Sequence, residues 1–166
     1  MNILFSNKKE KTDLDLVFLD EKTLKKLSKK EKDILRSLGF KAQTGDISLF
    51  AENKKLYIGL EKINTDSLRA VTSLVARYLS DKNFKSISMP LLYRDSLFGD
   101  LKAICEGFLL ASYKHEKYKS KKQKTALKKI VFIGKGKEYD KKLINKAIKE
   151  AKTISSSVNF VRDLVN

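Results

Sequence analysis

The sequence predicts an α/β fold in which a mixed sheet is packed between helices. Short apolar runs typical of strands alternate along the 166-residue chain with stretches whose apolar residues recur every three or four positions, as in helices. No repeat of about 20 to 50 residues indicates a solenoid or a propeller. The final segment carries one long helical pattern. We therefore expect a single three-layer α/β/α domain over residues 1–166.

The first half of the chain predicts four strands and one or two short helices. Residues 2–6 and 14–20 are apolar runs separated by a polar turn, and we expect both to be strands of one sheet. Residues 23–38 are amphipathic, and Gly39 is placed to end the helix. Residues 47–50 and 56–60 then predict a hairpin of strands.

The second half predicts three helices and two further strands. Residues 64–80 have helical spacing, with Thr65 or Asp66 placed to cap the helix. Residues 86–89 form a strand stopped by Pro90, and residues 97–113 form a largely buried helix. A strand at 129–134 follows a lysine-rich connector. Residues 137–165 repeat apolar positions over about seven turns, which predicts one long helix whose seam needs a partner surface.

Composition limits the classes of protein to consider. No stretch reaches the roughly 18 consecutive apolar residues of a membrane span, and no secretory apolar block follows Met1. We expect a cytoplasmic protein without a membrane partner. Cys105 is the only cysteine, which excludes an internal disulfide and a cysteine-based zinc site within one chain.

The net charge of +16 raises nucleic acid as a partner. Most basic residues are lysines, however, whereas base readout and bidentate phosphate contacts favour arginine. The best candidate contacts form a lysine cluster, interleaved with Tyr113 and Tyr118, that consists of Lys117, Lys119, Lys121, Lys122, Lys124, Lys128 and Lys129. A nucleic-acid-binding module using this cluster is the alternative function, and a solvated basic loop is the simpler interpretation.

Several segments carry a family resemblance in one consistent order. The chain ends on "NFVRDLVN", which resembles the "A-R-D-L-x-N" junction of the leucyl aminopeptidases, also called cytosol aminopeptidases. The segment "LYIGLEK" is similar to that family's "LLVGLGK" strand, with Glu61 in place of the second glycine. Residues 103–113 resemble its "A-x-x-E-G-x-x-L-A-x-Y" helix. The resemblance is to the amino-terminal domain of the family.

This resemblance implies a fold and a role. It implies a macro-domain-like α/β/α fold, with the long last helix as a strut to a catalytic domain that is absent after Asn166. It also implies that the parent enzyme is a hexameric metallo-exopeptidase with two zinc or manganese ions, which removes amino-terminal residues from peptides. Arg162 and Asp163 lie outside the apolar seam of this helix. We expect them to meet the missing domain, and within this chain to meet only water.

No residue of the chain is predicted to be catalytic or to bind a metal or another cofactor. Asn64-Thr65-Asp66 resembles the start of the family's "N-T-D-A-E-G-R-L" motif, but Leu68 and Ala70 stand where that motif has glutamate and arginine. Without a second carboxylate a two-metal bridge cannot form. A non-catalytic domain with a structural or assembly role, partnered by its own catalytic domain and sibling subunits, is therefore the leading hypothesis.

Other suggestive residues have simpler explanations. His115 is the only histidine, with no carboxylate partner beyond Glu116, and Cys105 lies on an apolar helix face where a thiol is inert. Gly134-Lys135-Gly136 lacks the rest of a nucleotide loop and predicts a strand-to-helix turn. Gly45-Asp46-Ile47-Ser48 resembles a turn of ADP-ribose-binding macro domains, which leaves an ADP-ribose sensor as a third hypothesis. We expect Gly107 to allow close helix packing.

Overall fold

The computed structural model describes residues 1–92, 96–114, 127–134 and 139–165. Within these residues the chain forms six strands and five helices. The strands are β1 (Asn2–Ser6), β2 (Leu14–Leu19), β3 (Ile47–Phe50), β4 (Lys55–Gly59), β5 (Ser86–Pro90) and β6 (Lys129–Ile133). The helices are α1 (Glu21–Leu24), α2 (Lys29–Ser37), α3 (Thr65–Ser80), α4 (Leu97–Ala111) and α5 (Lys141–Val165). The predicted order of elements is confirmed.

All six strands belong to one mixed sheet with the order β1-β6-β5-β2-β4-β3. Every pairing is parallel except the β3–β4 hairpin, which is antiparallel as predicted. Strands β1 and β2 share the sheet but are not neighbours, because β6 and β5 lie between them. The polar segment between β1 and β2 therefore crosses two strands, which local sequence patterns do not reveal.

Helices cover both faces of the sheet, so the α/β/α prediction is confirmed. Helices α3, α4 and α5 share one apolar core with the sheet face that carries Leu14, Leu56 and Ile130. Helices α1 and α2 cover the opposite face over β2, β3 and β4, where Leu35 packs with Tyr57. The alternation of side chains along each strand separates these two cores.

Polar side chains fix where the helices begin. Asp20, Ser28 and Asn64 each accept a hydrogen bond from the backbone N–H three residues later, in a complete capping box. The prediction that Thr65 or Asp66 caps α3 is therefore wrong, because Asn64 has the extended backbone that a cap requires. The predicted stop at Gly39 is confirmed, since this residue follows α2 with a φ of +73°.

The long helix α5 is buried over only part of its length. Its first half packs on α4 through Ile144, Ala147 and Ala151, all fully buried. The predicted seam continues in sequence, yet Val161 is 55% exposed and Val165 is 76% exposed. Within the described residues, this side of α5 stays buried as far as Ser155, Val158 is half-buried, and the seam is exposed from Val161 onwards. No helix among these residues is both long and apolar enough to span a membrane.

Candidate functional site

A cleft opens where the carboxyl ends of β5 and β6 lie beside the first part of β2 and the start of β4, and sequence analysis missed it. Its volume is about 320 Å³. The residues that line it are Lys9, Asp15, Leu16, Val17, Phe18, Lys55, Ser88, Met89, Pro90 and Ile133. They come from five separate elements, so no local motif could have indicated the cleft. Ligands of open α/β sheets commonly bind at such strand ends.

The polar side of this cleft is organised around Asp15. Lys9 Nζ donates to Asp15 Oδ2 at 2.7 Å, while Thr12 and the Ser88 hydroxyl donate to Oδ1. Burial opposes ionisation of this carboxyl group, but the hydrogen bonds from Lys9 and Ser88 outweigh burial and lower the pKa of Asp15 below its ordinary value. Asp15 is therefore a carboxylate at neutral pH and holds Lys9 at the cleft.

The end of α5 is attached to the end of α4 by the two residues predicted to meet another domain. Arg162 Nη1 donates to the Leu110 carbonyl at 3.1 Å, and its guanidinium group lies 5.5 Å from the centre of the Tyr113 ring. The Tyr113 hydroxyl donates to Asp163 Oδ1 at 2.7 Å. The expectation that Arg162 and Asp163 meet only water within this chain is wrong. Their contact with another domain stays a prediction.

Most of the lysine cluster lies outside the described residues. Lys117, Lys119, Lys121, Lys122 and Lys124 are among residues 115–126, as is His115. Of the two described members, Lys128 is exposed and Lys129 Nζ pairs with Glu10 Oε2 at 2.6 Å. Nucleic-acid binding stays a prediction that the described part of the cluster does not strengthen.

Helices α3 and α4 approach closely at the predicted glycine. A Cβ atom on Gly107 would lie 2.1 Å from Thr72 Oγ1 and 2.6 Å from the Arg69 carbonyl oxygen. Next to it, the half-exposed Arg69 donates to the buried Glu106 at 3.0 Å. The predicted role of Gly107 in packing is confirmed, and the "E-G" pair joins two helices.

Comparison with known protein families shows to which family this chain belongs. A family model described as "Cytosol aminopeptidase family, N-terminal domain" matches residues 3–122. The chain belongs to this family. A probable cytosol aminopeptidase of Aquifex aeolicus is 33% identical over 162 residues, and one of Campylobacter jejuni is 29% identical over 159 residues. These matches cover 89% and 94% of the chain but only 31% and 32% of the two relatives, so the chain spans about a third of their length.

Solved structures of similar proteins agree on the fold of this family's amino-terminal domain. A tomato leucine aminopeptidase mutant matches all of the chain with a TM-score of 0.75 at 17% identity, over 38% of its own length. The bottromycin maturation enzyme BotP matches 99% of the chain with a TM-score of 0.62, over 32% of its own length. The similarity to this class of domain therefore extends beyond the residues that the family model matches.

The metal ions of the cytosol aminopeptidase family do not fit the described residues of this chain. Asn64 caps α3, and Asp66 is exposed beside Arg69, with Asp66 Oδ1 at 3.0 Å from the guanidinium group. Within residues 1–92, 96–114, 127–134 and 139–165, no three His, Cys, Asp or Glu side chains group as metal ligands would. Asn64 of the "N-T-D" segment caps α3, and Thr65 and Asp66 form the first turn of the helix.

The glycine turns have structural roles where they are described. Gly45 has a φ of +102°, and Asp46 accepts hydrogen bonds from the Lys41 and Gln43 backbone N–H groups. Gly134 donates its N–H to the Ser6 carbonyl and lies against Phe5. Lys135 and Gly136 lie outside the described residues. Gly45 and Gly134 therefore both support the sheet of this amino-terminal domain, and the predicted strand-to-helix turn after Gly134 stays a prediction.

We predict that Cys105 does not react in the folded protein. The side chain is 1% exposed, and burial raises the pKa of its thiol to about 12. Because the thiolate is the reactive form, Ellman's reagent at about pH 8 should label Cys105 only after denaturant is added. Rapid labelling of the native chain, at the rate seen in denaturant, would contradict this prediction.

Proposed function

We propose that this chain is the non-catalytic amino-terminal domain of a cytoplasmic metal-dependent aminopeptidase. The match of residues 3–122 to the amino-terminal domain model carries this proposal. In the proposed enzyme, peptide hydrolysis and the two divalent metal ions, zinc or manganese, belong to a separate catalytic domain. The domain described here contributes structure and assembly, including contacts with sibling subunits of a hexamer.

The geometry of α5 supports a strut-like role in this proposal. The helix is held to α4 by its buried first half and, at its other end, by the Arg162 and Tyr113 contacts. Phe160 and Leu164, one turn apart, are 63% and 68% exposed. A helix fixed at both ends with apolar residues still exposed suits docking of the catalytic domain beside Arg162 and Asp163.

The proposal predicts that the chain alone does not hydrolyse peptides. With leucine p-nitroanilide and either Mn²⁺ or Zn²⁺ we expect no turnover above the rate of buffer and metal, because the described residues provide no metal-ligand group. The Campylobacter jejuni relative, assayed in parallel, serves as the positive control. Metal-dependent hydrolysis by the purified chain, abolished by a chelator, would contradict the proposal.

A hybrid protein tests the structural role directly. Residues 1–166 of this chain replace the matched segment of the Campylobacter jejuni relative, and a second hybrid carries Phe160→Glu and Leu164→Glu. We expect the first hybrid to retain activity and native assembly, and the second to lose both, because buried charges at a docking surface are unfavourable. The same two substitutions in the isolated chain should leave its stability unchanged, since both side chains are exposed. Full activity of the second hybrid would exclude this docking surface.

A further inference from the structure

The cleft described above lies where the topology of the sheet changes direction. From β2 the chain proceeds through α1 and α2, on one face, towards the β3 edge. From β5 it proceeds through α4, on the opposite face, towards the β1 edge. Strands β5 and β2 are neighbours, and the connections that follow them lead in opposite directions. A crevice can therefore form between the two strands. Crevices at such switch points are the usual ligand sites of open α/β sheets.

Strands β5 and β2 also separate before they end. Their pairing includes only Leu14 with Ile87 and Asp15 with Ser88. Beyond these pairs, β5 stays paired with β6 as far as Pro90, and β2 stays paired with β4 as far as Leu19. Pro90 has no N–H group to donate towards β2. The separated strand ends form the walls of the cleft.

The cleft has an apolar interior and a cationic rim. Val17, Phe18, Met89, Pro90 and Ile133 provide the apolar lining. Two ammonium groups and one carboxylate also line the cleft, those of Lys9, Lys55 and Asp15. Asp15 and Lys55 are register partners on adjacent strands, and Lys9 pairs with Asp15, so the two ammonium groups lie on the same side of the cleft.

The free hydrogen-bonding capacity at this rim favours an anion. Both oxygens of Asp15 already accept hydrogen bonds, from Lys9, Thr12 and Ser88. Each ammonium group has three N–H donors and uses one on a carboxylate, Lys9 on Asp15 and Lys55 on Glu31 at 2.9 Å. Donors with remaining capacity thus outnumber acceptors, and the net charge of +16 adds a long-range attraction for anions.

We propose that this cleft binds a small organic anion whose carboxylate or phosphate head contacts Lys9 and Lys55 and whose apolar body lies on Val17, Pro90 and Ile133, which share the sheet face of Asp15 and Lys55. The volume of about 320 Å³ is at the lower end for small-molecule sites. The site uses residues apart from α5 and needs no metal, so it does not depend on the proposed role in an aminopeptidase. If the binding proposal is wrong, the proposed role in an aminopeptidase is not affected.

Titration of the ¹⁵N-labelled 166-residue chain tests the site. Indole-3-acetate provides a carboxylate head and adenosine monophosphate a phosphate head, while indole-3-acetamide and adenosine are the neutral counterparts. We expect at least one anion to shift the amide signals of Leu16, Val17, Phe18 and Met89 in a saturable way, with at least about tenfold higher affinity than its neutral counterpart. Binding of only one anion identifies the preferred head group.

Charge variants separate the site from a general attraction to a basic protein. Lys9→Gln and Lys55→Gln should each weaken binding about tenfold. Lys128→Gln removes the same charge at an exposed residue next to the opposite end of β6, and should leave the affinity unchanged. Since Lys9 is 75% exposed, its substitution should not affect folding. The proposal is overturned if neither anion shifts the cleft amides at about 5 mM, or if Lys9→Gln binds as Lys128→Gln does.

Discussion

Replacing Gly107 by alanine is expected to destabilise the domain by about 3 kcal/mol, because the added methyl group has no room between helices α3 and α4. The added Cβ would lie 2.1 Å from Thr72 Oγ1 and 2.6 Å from the Arg69 carbonyl oxygen. The carbonyl belongs to the backbone of α3, so it cannot move away as a flexible side chain would. Helices α3 and α4 must separate to admit the methyl group.

Separation of these helices would weaken several interactions at once. Thr72 Oγ1 donates to the Leu68 carbonyl within α3, and Arg69 donates to Glu106 across the two helices. Phe108, which follows Gly107, is fully buried in the main core. The expected net loss of about 3 kcal/mol already includes the gain of about 1 kcal/mol from alanine's better helix propensity. The steric cost is therefore larger than the gain in helix propensity, and we expect Gly107→Ala to lower the free energy of unfolding.

A second glycine of the same helix provides the matched control. Among the described residues, a Cβ on Gly99 would meet only Thr65 Cγ2, at 3.4 Å, an ordinary van der Waals contact. Urea unfolding followed by circular dichroism should place Gly99→Ala within about 1 kcal/mol of the natural protein and Gly107→Ala about 3 kcal/mol below it. Equal stabilities of the two variants would show that α4 can shift without loss, and the packing argument would then be wrong.

The elements of this fold could be predicted because their signals are local. Helix α3 has its apolar positions at helical spacing, although its cap is Asn64 and not the predicted Thr65 or Asp66. The β3–β4 hairpin has its turn between two apolar runs. The position of β1 beside β6 could not be predicted, because Asn2 and Lys129 are paired across nearly the whole chain. Strand neighbours depend on packing between distant segments.

The same difference between local signals and contacts of distant segments applies to the candidate sites. Gly107 could be given a packing role because its sequence context is a single helix. The partners of Arg162 could not be predicted from the sequence, since Leu110 lies 52 residues away on another helix. The cleft combines Lys9, Asp15 and Ser88 from segments up to 79 residues apart, and its existence depends on where β5 and β2 separate. Motif searches examine neighbours in sequence and miss such combinations.

Glu31 joins α2 to the sheet and makes the stability of the domain depend on pH. One of its oxygens accepts hydrogen bonds from the Tyr57 hydroxyl at 2.6 Å and from Lys55 Nζ at 2.9 Å, and the other accepts from Ser28 in the capping box. The hydrogen bond from Tyr57, then those from Lys55 and Ser28, lower the pKa of Glu31 to about 2. Burial, followed by the bond to Glu31, raises the pKa of Tyr57 to about 12.

The sign of the pH effect follows from the lowered pKa. Unfolded glutamate has a pKa of about 4.3, so the folded state binds the Glu31 proton less tightly than the unfolded state does. The stabilisation is complete above the unfolded value and is lost as the pH falls from about 4.5 towards 2. Glu31→Gln should therefore reduce the free energy of unfolding at pH 7 by about 2 kcal/mol, once solvent screening at this partly open site is considered.

The difference between natural protein and Glu31→Gln is the quantity to measure, because titration of the other carboxyl groups cancels in it. Urea unfolding should show this difference falling to less than half between about pH 7 and pH 3. Glu21→Gln is the control, since Glu21 pairs with Lys25 at 2.6 Å with both side chains more than 70% exposed. Exposed pairs contribute little, so this variant should follow the natural protein at both pH values. A difference for Glu31→Gln that stays constant with pH would mean that its hydrogen bonds, and not its charge, stabilise the contact between α2 and β4.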